Sequence, residues 1–254
     1  MNTIKKTLFI GKNFLHFDML ASTNEHATKI LSKSTPPDGT VISTYNQHQG
    51  KGQSGSNWES EPDKNISLTL ILYPSFLLAR QQFLLNQAIS LGVRDFTSMY
   101  ANNRVKIKWS NDIYVNDNKI AGILIQNTLM GQNIHSSIVG IGININQTKF
   151  LSDAPNPTSL QLETQQNYSL TELTELLCWK IEVRYLQLRQ NAIQNLRLDY
   201  LEHLYRYMED ALYQEPEGEI FQGRIIGIED SGKLLLQSKK GQHSYAMKEV
   251  KFII

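Results

Sequence analysis

The polar and apolar positions of this chain change period several times, and each change marks an element. Ser22-Thr23-Asn24-Glu25 opens a helix to about Leu31, with Ser22 and Glu25 at capping-box spacing. Pro36-Pro37-Asp38-Gly39 is a turn into a strand over Thr40 to Tyr45, and the run Ile66 to Leu72 reads as a second strand. Phe83, Leu84, Ala88, Leu91 and Met99 keep helical spacing and predict a long helix over roughly Ala79 to Ala101. Val105 to Val115 reads as one strand, with Lys106, Lys108, Ser110 and Asp112 on one face and Ile107 and Trp109 on the other. Asn116-Asp117-Asn118 turns into a strand from Lys119 to Gln126, and Ser137 to Ile145 supplies another. Gly122, Gly140 and Gly142 interrupt these strands, marking a bulge or the close approach of a ligand.

After a loop with two prolines over Asp153 to Thr158, two helices are expected, Thr171 to Gln190 and Ala192 to Met208. A second capping box, Ser169 with Glu172, starts the first of them. From about Glu215 the texture changes to short strands over 219–228, 233–237 and 243–252, separated by turn signals. They read as a small β-barrel-like appendage. The expected division is therefore 1–212 and 213–254. Strands alternate irregularly and form no regular βαβ units. That pattern predicts an α/β chain of the α+β type, with a mixed or largely antiparallel sheet backed by helices.

Composition narrows the class. At 254 residues the chain can bury one good core and still carry a small appendage. A formal net charge of +1 gives no reason for broad nucleic-acid binding, and no apolar run approaches a membrane span. The single cysteine, Cys178, excludes an internal disulfide and fits a reducing compartment, so the cytoplasm is expected. Cys178 sits between Leu177 and Ile181 and reads as a core residue. The six histidines show no metal-ligand spacing.

Gly50-Lys51-Gly52-Gln53-Ser54-Gly55-Ser56-Asn57-Trp58 is the stretch with the most chemical character. Glycines there allow backbone N–H groups to cradle an anion, and Lys51 adds a charge. A dinucleotide fingerprint needs a helix next, yet a β-rich run follows, and no G-K-[ST] closes a P-loop. Lys51, Lys108 and Lys119 together with the glycines point to a bound polyanion, and Asp112 is placed to hold the Mg²⁺ that such a ligand brings.

Five motifs in order, Ser22-Thr23-Asn24, Gly50 through Trp58, Lys108-Trp109-Ser110-Asn111-Asp112, Lys119 through Leu124 and Gly140-Ile141-Gly142-Ile143-Asn144, resemble biotin–protein ligases, and with the β-rich tail the likeness spans nearly the whole chain. The resemblance implies a class II synthetase-like catalytic domain with an SH3-like C-terminal domain. It implies biotinyl-5′-AMP formation from biotin and ATP with Mg²⁺, then transfer to one lysine of a biotin carboxyl carrier domain. Ser22, Thr23 and Gln47 would hold the ring end of biotin, Gly50 and Lys51 would face its valerate, Gly140 and Gly142 would leave it room, and Asn24 and Gly122 would also contact it. Lys119, with Lys51, would be catalytic, against the carboxylate and α-phosphate. Gln53, Trp58, Lys108, Asn111, Asp112 and Asn144 would serve the nucleotide, with Asp112 on magnesium.

Departures from the family pattern carry expectations of their own. The family loop reads close to G-R-G-R-R-G-R, so Lys51 and Gln53 stand where guanidinium forks are usual, and weaker retention of the adenylate is expected. Ser110 replaces a usual proline. The chain begins about 20 residues before Ser22, which leads us to expect no helix-turn-helix domain and no operator binding. A strand edge could support a homodimer. Two other readings stay open: a lipoate–protein ligase, and a non-catalytic biotin or adenylate sensor.

Overall fold

The strand Asn65–Leu72 is buried along its whole length, and its alternation divides the N-terminal part of the chain into two faces. Ile66, Leu68, Leu70 and Leu72 enter the main core, while Ile71 joins a smaller cluster with Ala27, Ile42 and Ile138. One face is thus apolar packing. The opposite one, carrying Ser67 and Thr69, is free to build a site.

The computed structural model describes residues 3–152 and 155–254. In chain order, β1 (Phe14–His16), α1 (Thr23–Leu31) and β2 (Thr40–Thr44) come first. The glycine-rich stretch then forms a small hairpin, β3 (Gly50–Lys51) and β4 (Asn57–Trp58), around a 3₁₀ turn at Gln53–Gly55. After β5 (Asn65–Leu72) come α2 (Gln82–Ala101), β6 (Val105–Lys108), β7 (Asp112–Val115), β8 (Asn118–Met130) and β9 (Asn133–Asn144). The helices α3 (Leu160–Thr164), α4 (Leu170–Arg189) and α5 (Ile193–Glu202) follow. The tail holds β10 (Asp210–Gln214), β11 (Ile220–Ile228), β12 (Leu234–Ser238), β13 (Gly241–Tyr245) and β14 (Lys251–Phe252).

Seven strands make the large sheet, in the order β1-β2-β5-β9-β8-β7-β6. It is antiparallel except for the β1–β2 pair, as the irregular alternation led us to expect. Helices α2 and α4 back its apolar face with α5 packed against them, and α1 lies against β5 and β9. The second sheet is antiparallel in the order β13-β12-β11-β10-β14. Trp109 Nε1 donates to the Gly232 carbonyl at 3.0 Å and Arg206 to the Ile253 carbonyl at 2.8 Å, so each sheet is fastened to its neighbour. Cys178 is fully buried, and burial pushes its thiol well up, as a core residue requires. Among the described residues, no helix is long and apolar enough to cross a membrane.

Several boundaries differ from the pattern-based reading. Val105 to Val115 is a tight hairpin, with Lys108 paired to Asp112, because Trp109, Ser110 and Asn111 form its turn. The helix expected to reach Met208 stops at Glu202. Leu204 pairs with Ile107 instead, and Arg206 and Met208 both hold φ of 60°, outside any helix. The segment 243–252 is two strands split by a turn in which Lys248 has φ 71°. The division expected at 212/213 falls inside β10, and the second sheet starts at Asp210. Met99 is half exposed and takes no part in the core. Of the loop expected over 153–158, residues 153 and 154 lie outside the described residues. Backbone bonds from Ile107 to His203 and from Tyr205 to Ile107, both 2.8 Å, cover the outer edge of β6 at Ile107.

Candidate active site

Strand register builds the floor of the site. Thr44, Ser67, Gly142, Gly122, Asp112 and Lys108 are successive partners across six strands, so they form one row on one face. A parallel row places Ile42, Thr69, Gly140 and Leu124 beside it. Each row loses its side chains in the middle, where the glycines stand.

Two of the chain's own side chains, Trp58 and Asn24, pack over these glycines, which also border the first cavity. A Cβ on Gly142 would lie 2.4 Å from the Trp58 indole, and one on Gly122 would lie 3.1 Å from it. Over Gly140 sits Asn24, whose Oδ1 would be 2.2 Å from an added Cβ and which accepts from Thr69 Oγ1 at 2.6 Å. Gly140→Ala therefore forces Asn24 off a buried hydrogen bond. A loss of about 1–3 kcal/mol is expected in the denaturant-unfolding free energy.

Helix α1 begins at the rim. Ser22 is its N-cap and accepts from the Glu25 N–H at 3.4 Å. The Thr23 N–H and hydroxyl both donate to Gln47 Oε1, at 2.9 and 3.2 Å, which ties the helix start to the chain entering the glycine hairpin. Gly50 is packed against Gln47 and Trp58 with no space for a side chain. Lys51 Nζ lies 2.5 Å from Glu25 Oε1, and this contact holds the Glu25 carboxyl below the usual carboxylate range.

Lys119 Nζ is 2.7 Å from Asp112 Oδ1 and 5.8 Å from the Trp58 ring. Its backbone is clamped on both sides, N–H to the Asn156 carbonyl at 2.7 Å and carbonyl to the Thr158 N–H at 2.9 Å. The Lys108 ammonium lies 5.1 Å from both the Tyr114 and Phe252 ring centroids, and burial holds it below the usual lysine range. Asn111 spends its amide on the Ile123 carbonyl and on Ser110 Oγ, and Asn144 Nδ2 donates to the Thr158 carbonyl at 2.9 Å. Both asparagines thus hold the framework. Of the buried side-chain atoms without a hydrogen-bond partner among the described residues, Ser67 Oγ, Trp58 Nε1 and Asn144 Oδ1 belong to this site.

Two cavities meet here. The first, about 260 Å³, is lined by Ser22, Thr23, Asn24, Gln47, Lys51, Gln53, Asn111, Gly140 and Gly142. The second, about 620 Å³, is lined by Lys108, Tyr114, Asn144, Phe150, Pro155 and Pro157. Trp58, Asp112 and Lys119 line both. Glu59 also borders the second, but its carboxylate is engaged by the Leu151 and Ser152 N–H groups and by Gln147. All of the sequence-derived site residues thus fall at these cavities or, for Gly50, directly beneath one. Sequence reading missed Leu124, which supplies apolar wall to the first cavity, and Lys248, which reaches it from the turn between β13 and β14. Ile123 and Ile141 border the cavity too, but their side chains belong to the core on the other face. Leu124 was legible in principle, since it follows Gly122 by one strand period.

The comparisons decide the family. A model described as the biotin/lipoate A/B protein ligase family matches residues 16–144, half of the chain. The chain belongs to this family. A model of the biotin protein ligase C-terminal domain matches residues 214–250 of the same ligase-family chain. Similar relatives include the bifunctional ligase/repressor BirA of Bacillus subtilis, 27% identical over 93% of this chain and 73% of that protein. The biotin–[acetyl-CoA-carboxylase] ligase of Paracoccus denitrificans is 28% identical over 92% of this chain and 99% of its own length. The solved biotin protein ligase from Aquifex aeolicus, in complex with biotin and ATP, superimposes with a TM-score of 0.78. It is 20% identical over 95% of this chain and all of its own, and the likeness is one of fold.

Proposed function

We infer that this family member is an ATP-dependent biotin–protein ligase, and the observation that carries the reading is that Lys119 stands where the two cavities meet. The first cavity takes biotin and the second the nucleotide. The biotin carboxylate oxygen attacks the α-phosphorus and pyrophosphate leaves. The ε-amine of a carrier-domain lysine then attacks the activated carbonyl and AMP leaves. No nucleophile from the enzyme is needed, so catalysis consists of positioning two anions and stabilising charge at phosphorus. In this reading Lys119 bridges carboxylate and phosphate, and Lys51 meets the carboxylate from the hairpin. Ser22, Thr23, Asn24 and Gln47 take the polar ring end. Trp58 Nε1 and Asn144 Oδ1 are an unpaired donor and acceptor that a ligand can satisfy.

Magnesium fits this arrangement as a nucleotide-borne ion. Asp112 is the carboxylate shared by both cavities, and Mg²⁺ commonly needs only one or two carboxylates plus phosphate oxygens and water. When bound, the ion supplies charge neutralisation on the phosphates. We place the protein in the cytoplasm. Residues up to 209 form the catalytic domain and the second sheet a C-terminal domain. A homodimer built by strand pairing would use the β1 side, because the β6 edge is covered at Ile107.

The test is pyrophosphate exchange into ATP. Exchange that depends on biotin and is absent with lipoate supports the reading. Exchange with lipoate alone selects the lipoate ligase, and biotin binding without exchange selects the sensor. Gln53 lines the first cavity without charge, so Gln53→Arg should slow adenylate release by about tenfold, the effect of one charge-assisted hydrogen bond. An unchanged release rate would remove that role from position 53.

A further inference from the structure

Glu25 lies on the first turn of α1, where a completed capping box would fold its carboxylate back onto the Ser22 backbone. Only half of that box forms. Ser22 Oγ accepts from the Glu25 N–H, and the Glu25 carboxylate reaches outward to Lys51. Helix α1 and the glycine hairpin are therefore tied twice, Thr23 to Gln47 and Glu25 to Lys51. The ties differ in kind. Thr23 and Gln47 are buried, whereas the Lys51 and Glu25 side chains remain 60% and 38% exposed. An exposed ion pair is weak and readily exchanged. Lys51 lines the first cavity from the rim.

Resting on the ligase reading, we propose that Glu25 is a positioning residue whose carboxylate holds the Lys51 ammonium at the cavity rim and yields it to the carboxylate of incoming biotin. One carboxylate replaces another on the same ammonium, so the charge-assisted hydrogen bond is kept throughout. The hairpin is held near its working position before the ligand arrives. In exchange, Glu25 competes with biotin for Lys51, and this competition fixes the sign of the expected effect. Lys29, one turn along α1, also acts on Glu25 and is left untouched by the test.

The experiment is calorimetric titration of wild type, Glu25→Gln, Lys51→Ala and the double variant with biotin and with uncharged biotinamide. Glu25→Gln should bind biotin about two- to fivefold more tightly, the range of an exposed pair, with biotinamide unchanged. In the Lys51→Ala background the same change should have no effect. Unchanged or weaker biotin binding by Glu25→Gln would overturn the proposal. So would an equal gain for biotinamide, or a gain that persists without Lys51, because the effect would then not pass through that ammonium. A wild-type protein that ligates biotin but shows one of these results refutes the Glu25 role alone. If wild type binds neither ligand, the ligase reading falls with it.

Discussion

Lys119→Ala should lower biotin-dependent pyrophosphate exchange by about 10²–10³-fold, the loss found when one preorganised charge donor is removed from a polar active site. The size follows from placement. The Lys119 ammonium borders both cavities, its backbone is clamped by the 156–158 loop, and Asp112 at 2.7 Å holds it in register with the glycine row. Arginine at this position would keep the charge but place a larger planar fork beside Trp58, so Lys119→Arg should recover only part of the rate. Asp112 keeps some access to solvent in the alanine variant, so the unfolding midpoint should hardly move. Exchange within tenfold of wild type would remove Lys119 from the chemistry.

The largest stability effect is expected far from the site. Glu182 on α4 is 3% exposed, and its two oxygens accept from the Leu8, Phe9 and Ile10 N–H groups at 2.6, 2.8 and 2.9 Å. A buried carboxylate with three backbone donors is well satisfied. Glu182→Gln keeps the shape but turns an NH₂ group towards donors that need an acceptor. Hydrogen bonds to a charged group contribute about 1.5–3 kcal/mol each, so a loss of about 3 kcal/mol is expected. For a chain of this size that lowers the thermal midpoint by roughly 6–12 °C. A change below about 1 kcal/mol would show that the N-terminal segment is held mainly by Ile4 and Ile10 in the core.

Much of the architecture was legible because its signals are local. The β5 strand, α2 and α4 follow from periodicity in Ile66–Leu72, Phe83–Leu91 and the Ser169 cap. Boundaries failed where tertiary contacts override pattern. Trp109 to Asn111 turn because Asn111 ties to Ile123 and Trp109 to Gly232, partners distant in sequence. The chain leaves the helix at Leu204 because its neighbours His203 and Tyr205 hydrogen-bond to Ile107 on the β6 edge. The residues that border the two cavities were visible as motifs, but what the glycines pack against was not readable. That Gly142 lies under Trp58 and Gly140 under Asn24 depends on strand register. The Lys51–Glu25 contact was hidden because Glu25 had a sufficient role as a helix cap. Lys248 was invisible because it comes from a turn of the C-terminal segment, far from the motifs in sequence.

The central claim is tested most directly by incubating the protein with ATP, Mg²⁺, biotin and a biotin carboxyl carrier domain, then reading the carrier's intact mass. One biotin-sized gain on the carrier, absent with lipoate and lost with Lys119→Ala, is the predicted result. An unchanged carrier mass with active wild-type binding of biotin, or a lipoyl gain in its place, would contradict the account.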